Sequence, residues 1–175
     1  VQFTNKKINE LNDFTSKLKY IAQLKYSPMK VKEDMIISLF RDNNKDSYNE
    51  LELLLQDAEK ILQLLNLHYR VVLLSSGDLS FSASKCYDIE VWSPFEKKYL
   101  EVSSCSNFQS FQSQRGNIKY RRKNDNKSDF IHTLNGSGLA TPRLMIALLE
   151  SYQDEDNSIK VPKKLFDYFK EKVIK

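Results

Sequence analysis

The sequence predicts an α+β domain in which helices flank a mostly antiparallel sheet. Two segments space their apolar residues three and four apart, as an amphipathic helix does. Between them lies a block of alternating strands with a hairpin loop, "SPFEK", that contains Pro94. Helices and hairpins in this order are typical of the α+β class. The 175 residues suffice for one domain with a hydrophobic core.

The clearest helix is "SYNELELLLQDAEKILQLLNL". Ser47 and Glu50 form a capping box at its start, and Asn66 marks its end. Its predicted buried stripe consists of five apolar residues: Leu51, Leu54, Ala58, Ile61 and Leu65.

Further helices are predicted before and after this one. The first covers residues 8–25. Another takes Thr141 as N-cap and Pro142 as first helical residue and runs through Tyr152, and the last covers residues 162–173. Strands are predicted at residues 35–40, 69–75, 87–92 and 98–106, and in "DFIHTLN".

Composition excludes several classes of protein. Apolar residues make up 41% and charged residues 29%, which indicates a globular rather than a disordered chain. The net charge of +4 permits a nucleic-acid partner without requiring one. No apolar run is long enough to cross a membrane, and no signal peptide is visible. The two cysteines and two histidines form no zinc pattern and favour a reducing setting.

The strand "LEVSSCSN" is unusually polar for a buried segment. Strand alternation predicts that Glu101, Ser103 and Cys105 face one way and that Val102 and Ser104 face the other. An open polar face on a sheet can serve as the floor of a ligand site. A solvated sheet face explains the same residues.

The stretch "HTLNGSGLATPRLMIALLE" places a glycine turn before a helix. Gly136 and Gly138 allow close backbone approach or positive φ, and backbone N–H groups at a helix start can bind an anion. Arg143 lies in the first helical turn, where a cation is unfavourable unless it has an anionic partner. The spacing is that of neither P-loop, GxGxxG nor GxSxG, so it predicts only a small-ligand or phosphate site.

Two charged segments have both a functional and a structural interpretation. The first, "FQSQRGNIKYRR", interleaves four cations with aromatic residues and either contacts phosphates or is a solvated loop. Its cations are Arg115, Lys119, Arg121 and Arg122. The second, "GDLSFSASKCYDIEVW", carries charges that read as strand surface: Asp78, Lys85, Asp88 and Glu90.

Read together, these segments resemble the C-terminal half of the catalytic domain of the seryl-tRNA synthetases, a class II aminoacyl-tRNA synthetase family. The strongest signals are "EVSSCSN" and "TLNGSGLATPR", supported by "YRVVLLSSGDLSFSASKCYDIEVW" and by their order. The resemblance covers residues 47–173. It implies two parts, a poorly matching segment at residues 1–46 with an altered motif 2 region, and a catalytic-domain part at residues 47–175 that includes motif 3.

The resemblance implies ligands and the residues that hold them. It assigns ATP binding to Glu101, Val102, Ser103, Ser104 and Arg143. It makes Glu101 and Arg143 catalytic, with Glu101 also contacting Mg²⁺. It assigns serine binding to Ser137, with Thr133 and Asn135 in the pocket wall.

The implied activity is that of a serine–tRNA ligase, with L-serine, ATP and tRNA(Ser) as partners and no membrane. Serine and ATP form seryl-adenylate, and the seryl group then passes to the tRNA. The family forms homodimers through motif 1, which is missing from these residues, and works in the cytoplasm, with organelles not excluded.

The sequence departs from the family before residue 47. Residues 29–37 lack the motif 2 arginine and its QF pair, and the alternative match at Gln2 and Phe3 requires an insertion. Gln114 stands where the family usually has an arginine. The chain starts at Val1 without Met, so a fragment that is weakly active or inactive alone is expected. The alternative is a non-catalytic relative that binds a nucleotide, an RNA or a synthetase partner.

Overall fold

A computed structural model of the protein describes residues 46–122, 125–169 and 171–175. The helix predicted at residues 8–25, the strand predicted at 35–40 and the altered motif 2 region at residues 1–46 therefore lie outside the described residues, except for residue 46 itself. Within these described ranges, the helical segments are α1 (Asp46–Leu64), α2 (Phe111–Gly116), α3 (Thr141–Ser151) and a 3₁₀ turn (Lys163–Leu165). None of the described helices is long and apolar enough to span a membrane.

Antiparallel strands form the centre of the fold, as predicted. The main sheet has the order β1 (Tyr69–Leu73), β2 (Lys85–Ser93), β3 (Lys98–Gln109) and β6 (Thr133–Gly136). Two small sheets pair β4 (Lys119–Arg121) with β5 (Ser128–Phe130), and β7 (Ile159–Lys160) with β8 (Val173–Ile174). Helices beside an antiparallel sheet confirm the α+β class.

The core lies between one face of the main sheet and helices α1 and α3. From the sheet, Ile89, Val91 and Val102 are almost completely buried. Helix α1 contributes Leu51, Leu55, Ala58 and Leu62, and Leu65 directly after its end is also buried. The predicted stripe is thus confirmed at Leu51, Ala58 and Leu65, and Ile61 is partly buried against the core. The most buried residues near Leu54 and Ile61 are Leu55 and Leu62, one position later. Asn66, with φ 51°, ends the helix as predicted.

Three local predictions are wrong in informative ways. Helix α3 begins at Thr141 itself, because Ala140 is the extended N-cap residue and its N–H bonds the carbonyl of Val102 at 2.6 Å. The segment "DFIHTLN" forms two strands that pair with different partners, β4 and β3. The predicted last helix is only the short 3₁₀ turn, because residues 173 and 174 pair with β7 instead.

The close packing of β6 on α1 explains one glycine of the Gly-Ser-Gly turn. A Cβ on Gly136 would lie 2.6, 2.7 and 2.9 Å from Cδ2, Cγ and Cδ1 of Leu54, which is closer than real Cβ contacts. No glycine of the described residues has positive φ. Close approach, rather than backbone conformation, therefore requires glycine at position 136.

We expect Gly136→Ala to lower the free energy of unfolding by about 1–3 kcal/mol, because Leu54 and helix α1 must shift to accept the methyl group. Gly77→Ala is the matched control, since its Cβ would meet only Ser75 Oγ at 3.9 Å. Urea denaturation of both variants measures the difference. Equal stability of the two variants would contradict the packing argument.

Candidate active site

One face of the main sheet is polar, and its side chains lie on the side opposite α1 and α3. We call it the open face. Apart from Cys86, which is 4% exposed, its residues remain at least partly accessible. The open face carries these residues: Arg70, Val72, Cys86, Asp88, Glu90, Trp92, Tyr99, Glu101, Ser104, Ser106 and Asn135.

A β-bulge at Val102 decides which side chains reach the open face. Glu90 is opposite Glu101, but the preceding residue of β2, Ile89, is opposite Ser103, so Val102 is the extra residue. The predicted alternation is therefore wrong. Glu101 shares the open face with Ser104, whereas Ser103 is buried with Val102 in the core. A bulge of this kind is not visible in a single sequence.

The bulge also holds the Gly-Ser-Gly turn in place. The Ala140 N–H bonds Val102 O at 2.6 Å, and the Ser137 N–H bonds Ser104 O at 3.3 Å. The buried Ser103 hydroxyl donates to Ser137 O at 2.7 Å. Three hydrogen bonds thus fix the turn and the start of α3 against the strand "EVSS", so the two predicted halves of the site are adjacent.

Glu101 and Arg143 are the charged groups that this arrangement leaves open. Both residues are exposed, and neither has a hydrogen-bond or ion-pair partner among the described residues. Glu101 comes directly before the bulge residue, Val102. Arg143 comes three residues after Ala140, whose N–H donates to the Val102 carbonyl. Ser137 is also exposed. The hydrogen bonds at Val102, Ser103 and Ser104 therefore join the strand that carries Glu101 to the turn that carries Ser137 and leads into the helix that carries Arg143.

The two predicted pocket-wall residues differ in their surroundings. The Thr133 hydroxyl donates to Gln112 Oε1 at 2.8 Å, so it is already engaged within the fold. Asn135 is opposite Ser106 on the open face and is exposed. Of the two, Asn135 has the side chain that is available to a ligand.

Sequence reasoning missed a cluster of small polar groups on the open face. The Cys86 thiol lies 3.1 Å from Ser106 Oγ and 3.2 Å from Ser104 Oγ. Cys86 and Ser106 are direct cross-strand partners, a pairing that only the register reveals. Ser104 therefore has a fixed hydroxyl on the floor of the site.

Three of the four cations of the basic segment have partners within the segment or shortly after it. Arg115 Cζ lies 3.4 Å from the ring centroid of Phe111, and Arg122 lies 3.8 Å from both Asp125 and Asp129. Lys119 lies 4.7 Å from the Phe130 ring centroid. These contacts favour the structural interpretation of that segment. No group of three or more His, Cys, Asp or Glu within the described ranges is arranged to hold a metal ion.

A polar network of Ser47, Asn107 and His132 links helix α1 to strand β3 and to the residue before β6. The hydroxyl of Ser47 lies 2.8 Å from His132 Nδ1 and accepts a hydrogen bond from Asn107 Nδ2 at 3.0 Å. The predicted cap at Ser47 is wrong, because α1 begins at Asp46 and Ser47 lies within its first turn. The Ser47 hydroxyl instead links α1 to two other parts of the fold. Burial lowers the pKa of His132, although Asp129 opposes the shift.

This lowered pKa predicts that acid destabilises the fold through His132. Below about pH 6.5 His132 is protonated in the unfolded chain but still neutral in the folded one. The free energy of unfolding therefore falls as pH falls. The fall ends once the folded imidazole is protonated. Denaturation between pH 7 and 5 measures the slope. In His132→Gln the slope should flatten over this window, and an unchanged slope would contradict the assignment.

Comparison with known proteins identifies the family of the chain. Residues 28–152 match the family model described as tRNA synthetase class II core domain (G, H, P, S and T). The serine–tRNA ligase of Chloroherpeton thalassium is 60% identical over 122 residues, which are 70% of this chain and 29% of that protein. That of Caldicellulosiruptor saccharolyticus is 58% identical over 131 residues, 75% of this chain and 31% of that protein.

Two solved structures share the fold. Seryl-tRNA synthetase from Pyrococcus horikoshii, complexed with ATP, has a TM-score of 0.71 and 41% identity, over 74% of this chain and 29% of that one. The cytoplasmic serine–tRNA ligase of Naegleria fowleri, in complex with AMP, has a TM-score of 0.69 and 32% identity, over 76% and 32%. The chain spans less than a third of the length of these relatives. It belongs to the class II tRNA synthetase core domain family, and within that family it matches the seryl-tRNA synthetases.

Proposed function

We propose that the chain forms the C-terminal part of the active site of a serine–tRNA ligase. The observation that carries the proposal is that two exposed charges without a partner among the described residues, Glu101 and Arg143, belong to a strand and a helix that the turn holding Ser137 joins through hydrogen bonds. The relatives of this chain are named serine–tRNA ligases, and two of the solved ones are complexes with ATP and AMP. L-serine, ATP and tRNA(Ser) are the partners in this proposal, and its location is the cytoplasm.

The reaction has two steps. In the first, a carboxylate oxygen of serine attacks the α-phosphate of ATP, and pyrophosphate leaves as seryl-adenylate forms. In the second, a ribose hydroxyl at the end of the tRNA attacks the seryl carbonyl, and AMP leaves. Arg143 supplies positive charge to the phosphates, which explains a cation in the first turn of α3. The protein contributes mainly position and charge.

The open face has donors that suit Mg²⁺. Mg²⁺ in nucleotide sites is usually held by one or two carboxylates together with substrate phosphates, so a large protein cluster is not needed. Glu101 offers a carboxylate, and Ser104 offers a hydroxyl on the same face. Bound there, the ion would neutralise phosphate charge. In this proposal, Val102 and Ser103 contribute by holding the strand and turn together.

Ser137 is the residue we propose for contact with the serine substrate, with Asn135 beside it. A site that hydrogen-bonds the substrate hydroxyl discriminates against alanine, because alanine would leave a protein polar group without its partner. Thr133 orients this wall through its bond to Gln112.

Serine-dependent exchange of pyrophosphate into ATP tests the function. The full natural protein should catalyse exchange with serine and much less with alanine. Residues 1–175 alone should show little exchange, because the chain covers only 29% of such relatives as the Chloroherpeton enzyme. Absence of exchange in the full protein would overturn the proposal.

A second candidate is a non-catalytic relative that retains nucleotide or RNA binding. The lack of the motif 2 arginine and QF pair at residues 29–37 favours it. Titration with ATP and Mg²⁺ separates the two functions. Binding of ATP without any exchange in the full protein would support the second candidate over the first.

A further inference from the structure

Three charged residues form a row across the open face. Arg70 of β1 is the direct partner of Glu90 of β2, and Glu90 is the direct partner of Glu101 of β3. Two carboxylates therefore stand opposite each other on neighbouring strands, immediately beside the bulge. Like charges in such positions repel. A positively charged partner must therefore neutralise at least one of the two carboxylates.

Arg70 neutralises Glu90. Its Nε lies 2.5 Å from Glu90 Oε2, and the Glu90 side chain is only 22% exposed. The guanidinium carbon also lies 4.1 Å from the centroid of the Tyr99 ring. An ion pair and a cation–π contact thus hold the guanidinium group, although the Arg70 side chain is 52% exposed.

Aromatic neighbours fix the ring on which Arg70 rests. The Tyr99 hydroxyl lies 2.9 Å from His68 Nε2, and the Trp92 ring meets the Tyr99 ring edge-on with centroids 5.1 Å apart. The Tyr99 ring therefore has little freedom, and Arg70 has a defined position. Glu101, by contrast, has no partner among the described residues.

We infer that Arg70 is a positioning residue for the nucleotide site, because it pairs with the Glu90 carboxylate and leaves Glu101 as the carboxylate available to the Mg²⁺ that accompanies the phosphates. Without Arg70, a second negative charge stands beside Glu101. That charge repels ATP phosphates and competes for Mg²⁺. The inference rests on the proposed function and identifies a residue that does not itself touch the ligand.

The test compares four forms of the full natural protein by the KM for Mg–ATP in pyrophosphate exchange. Arg70→Met, which keeps an apolar contact with Tyr99, should raise KM about tenfold and change kcat less than about threefold, since ground-state binding of the phosphates is affected. Glu90→Gln alone should stay within about twofold of the wild type. In the double variant Arg70→Met/Glu90→Gln the KM should return to within about threefold of the wild type, because the unpaired negative charge at position 90 is also removed.

Two outcomes overturn the inference. One is an unchanged KM in Arg70→Met. The other is a double variant no better than Arg70→Met, which would show that Arg70 acts only through packing. If thermal unfolding shows that Arg70→Met does not fold, Arg70→Lys takes its place. Arg70→Lys should raise the KM about threefold, and adding Glu90→Gln must again reverse this rise. A wild type without exchange would defeat the proposed function, whereas wild-type exchange with either overturning outcome defeats only the role of Arg70.

Discussion

Arg143→Ala should lower kcat/KM for ATP in serine-dependent exchange by about 10²–10³-fold, a loss comparable to removing one preorganised charge or donor from an active site. The exposed guanidinium group has no partner among the described residues, so its removal breaks no ion pair within them. It also removes a cation from the first turn of α3, where the helix dipole disfavours one. Stability should therefore stay the same or rise slightly while activity falls.

Lower activity without lower stability distinguishes a role of Arg143 in ligand binding from a role in folding. Arg121→Ala is the matched control, an exposed arginine in β4, outside the main sheet. It should change exchange by less than about twofold and leave thermal unfolding unchanged. Arg143→Lys should recover part of the activity, because the charge returns without the planar fork. Full exchange in Arg143→Ala would remove Arg143 from phosphate binding.

The sequence predicted well what depends on local pattern. Alternating apolar residues identified β2 and β3, and the stretch "HTLNGSGLATPR" placed a turn before α3. Pairing between distant segments of the chain decided the elements that the sequence did not predict. The stretch from Leu165 to Val173 has helical spacing, but Val173 and Ile174 gain strand partners in β7. A pattern within one segment carries no information about a partner elsewhere in the chain.

The sequence named candidate residues for the site but could not give their geometry. Glu101 and Ser103 were expected on one face, and the bulge at Val102 separates them. That separation gives Ser103 a buried structural bond to Ser137 O and gives Glu101 an open position. The involvement of Arg70 had no signal in the sequence, because Arg70 and Glu101 are 31 positions apart and are related only through Glu90.

Glu101→Gln keeps the size and shape of the side chain and removes its charge. We expect exchange to fall about 10²-fold at low Mg²⁺, because the open face loses the carboxylate proposed to hold the ion. Raising the Mg²⁺ concentration should restore part of the activity by mass action. Initial rates measured over a series of Mg²⁺ concentrations, at saturating serine, show whether the loss shrinks in this way.

The dependence on Mg²⁺ separates ion binding from a general defect. Glu96→Gln is the matched control, since Glu96 is exposed in the β2–β3 turn and paired with Lys98. It should show the wild-type Mg²⁺ curve. A Glu101→Gln deficit that stays constant at every Mg²⁺ concentration would indicate that the carboxylate contacts the nucleotide directly. The open position of Glu101 beside the committed Glu90 suits either ligand, and only the ion predicts a curve that converges on the wild type.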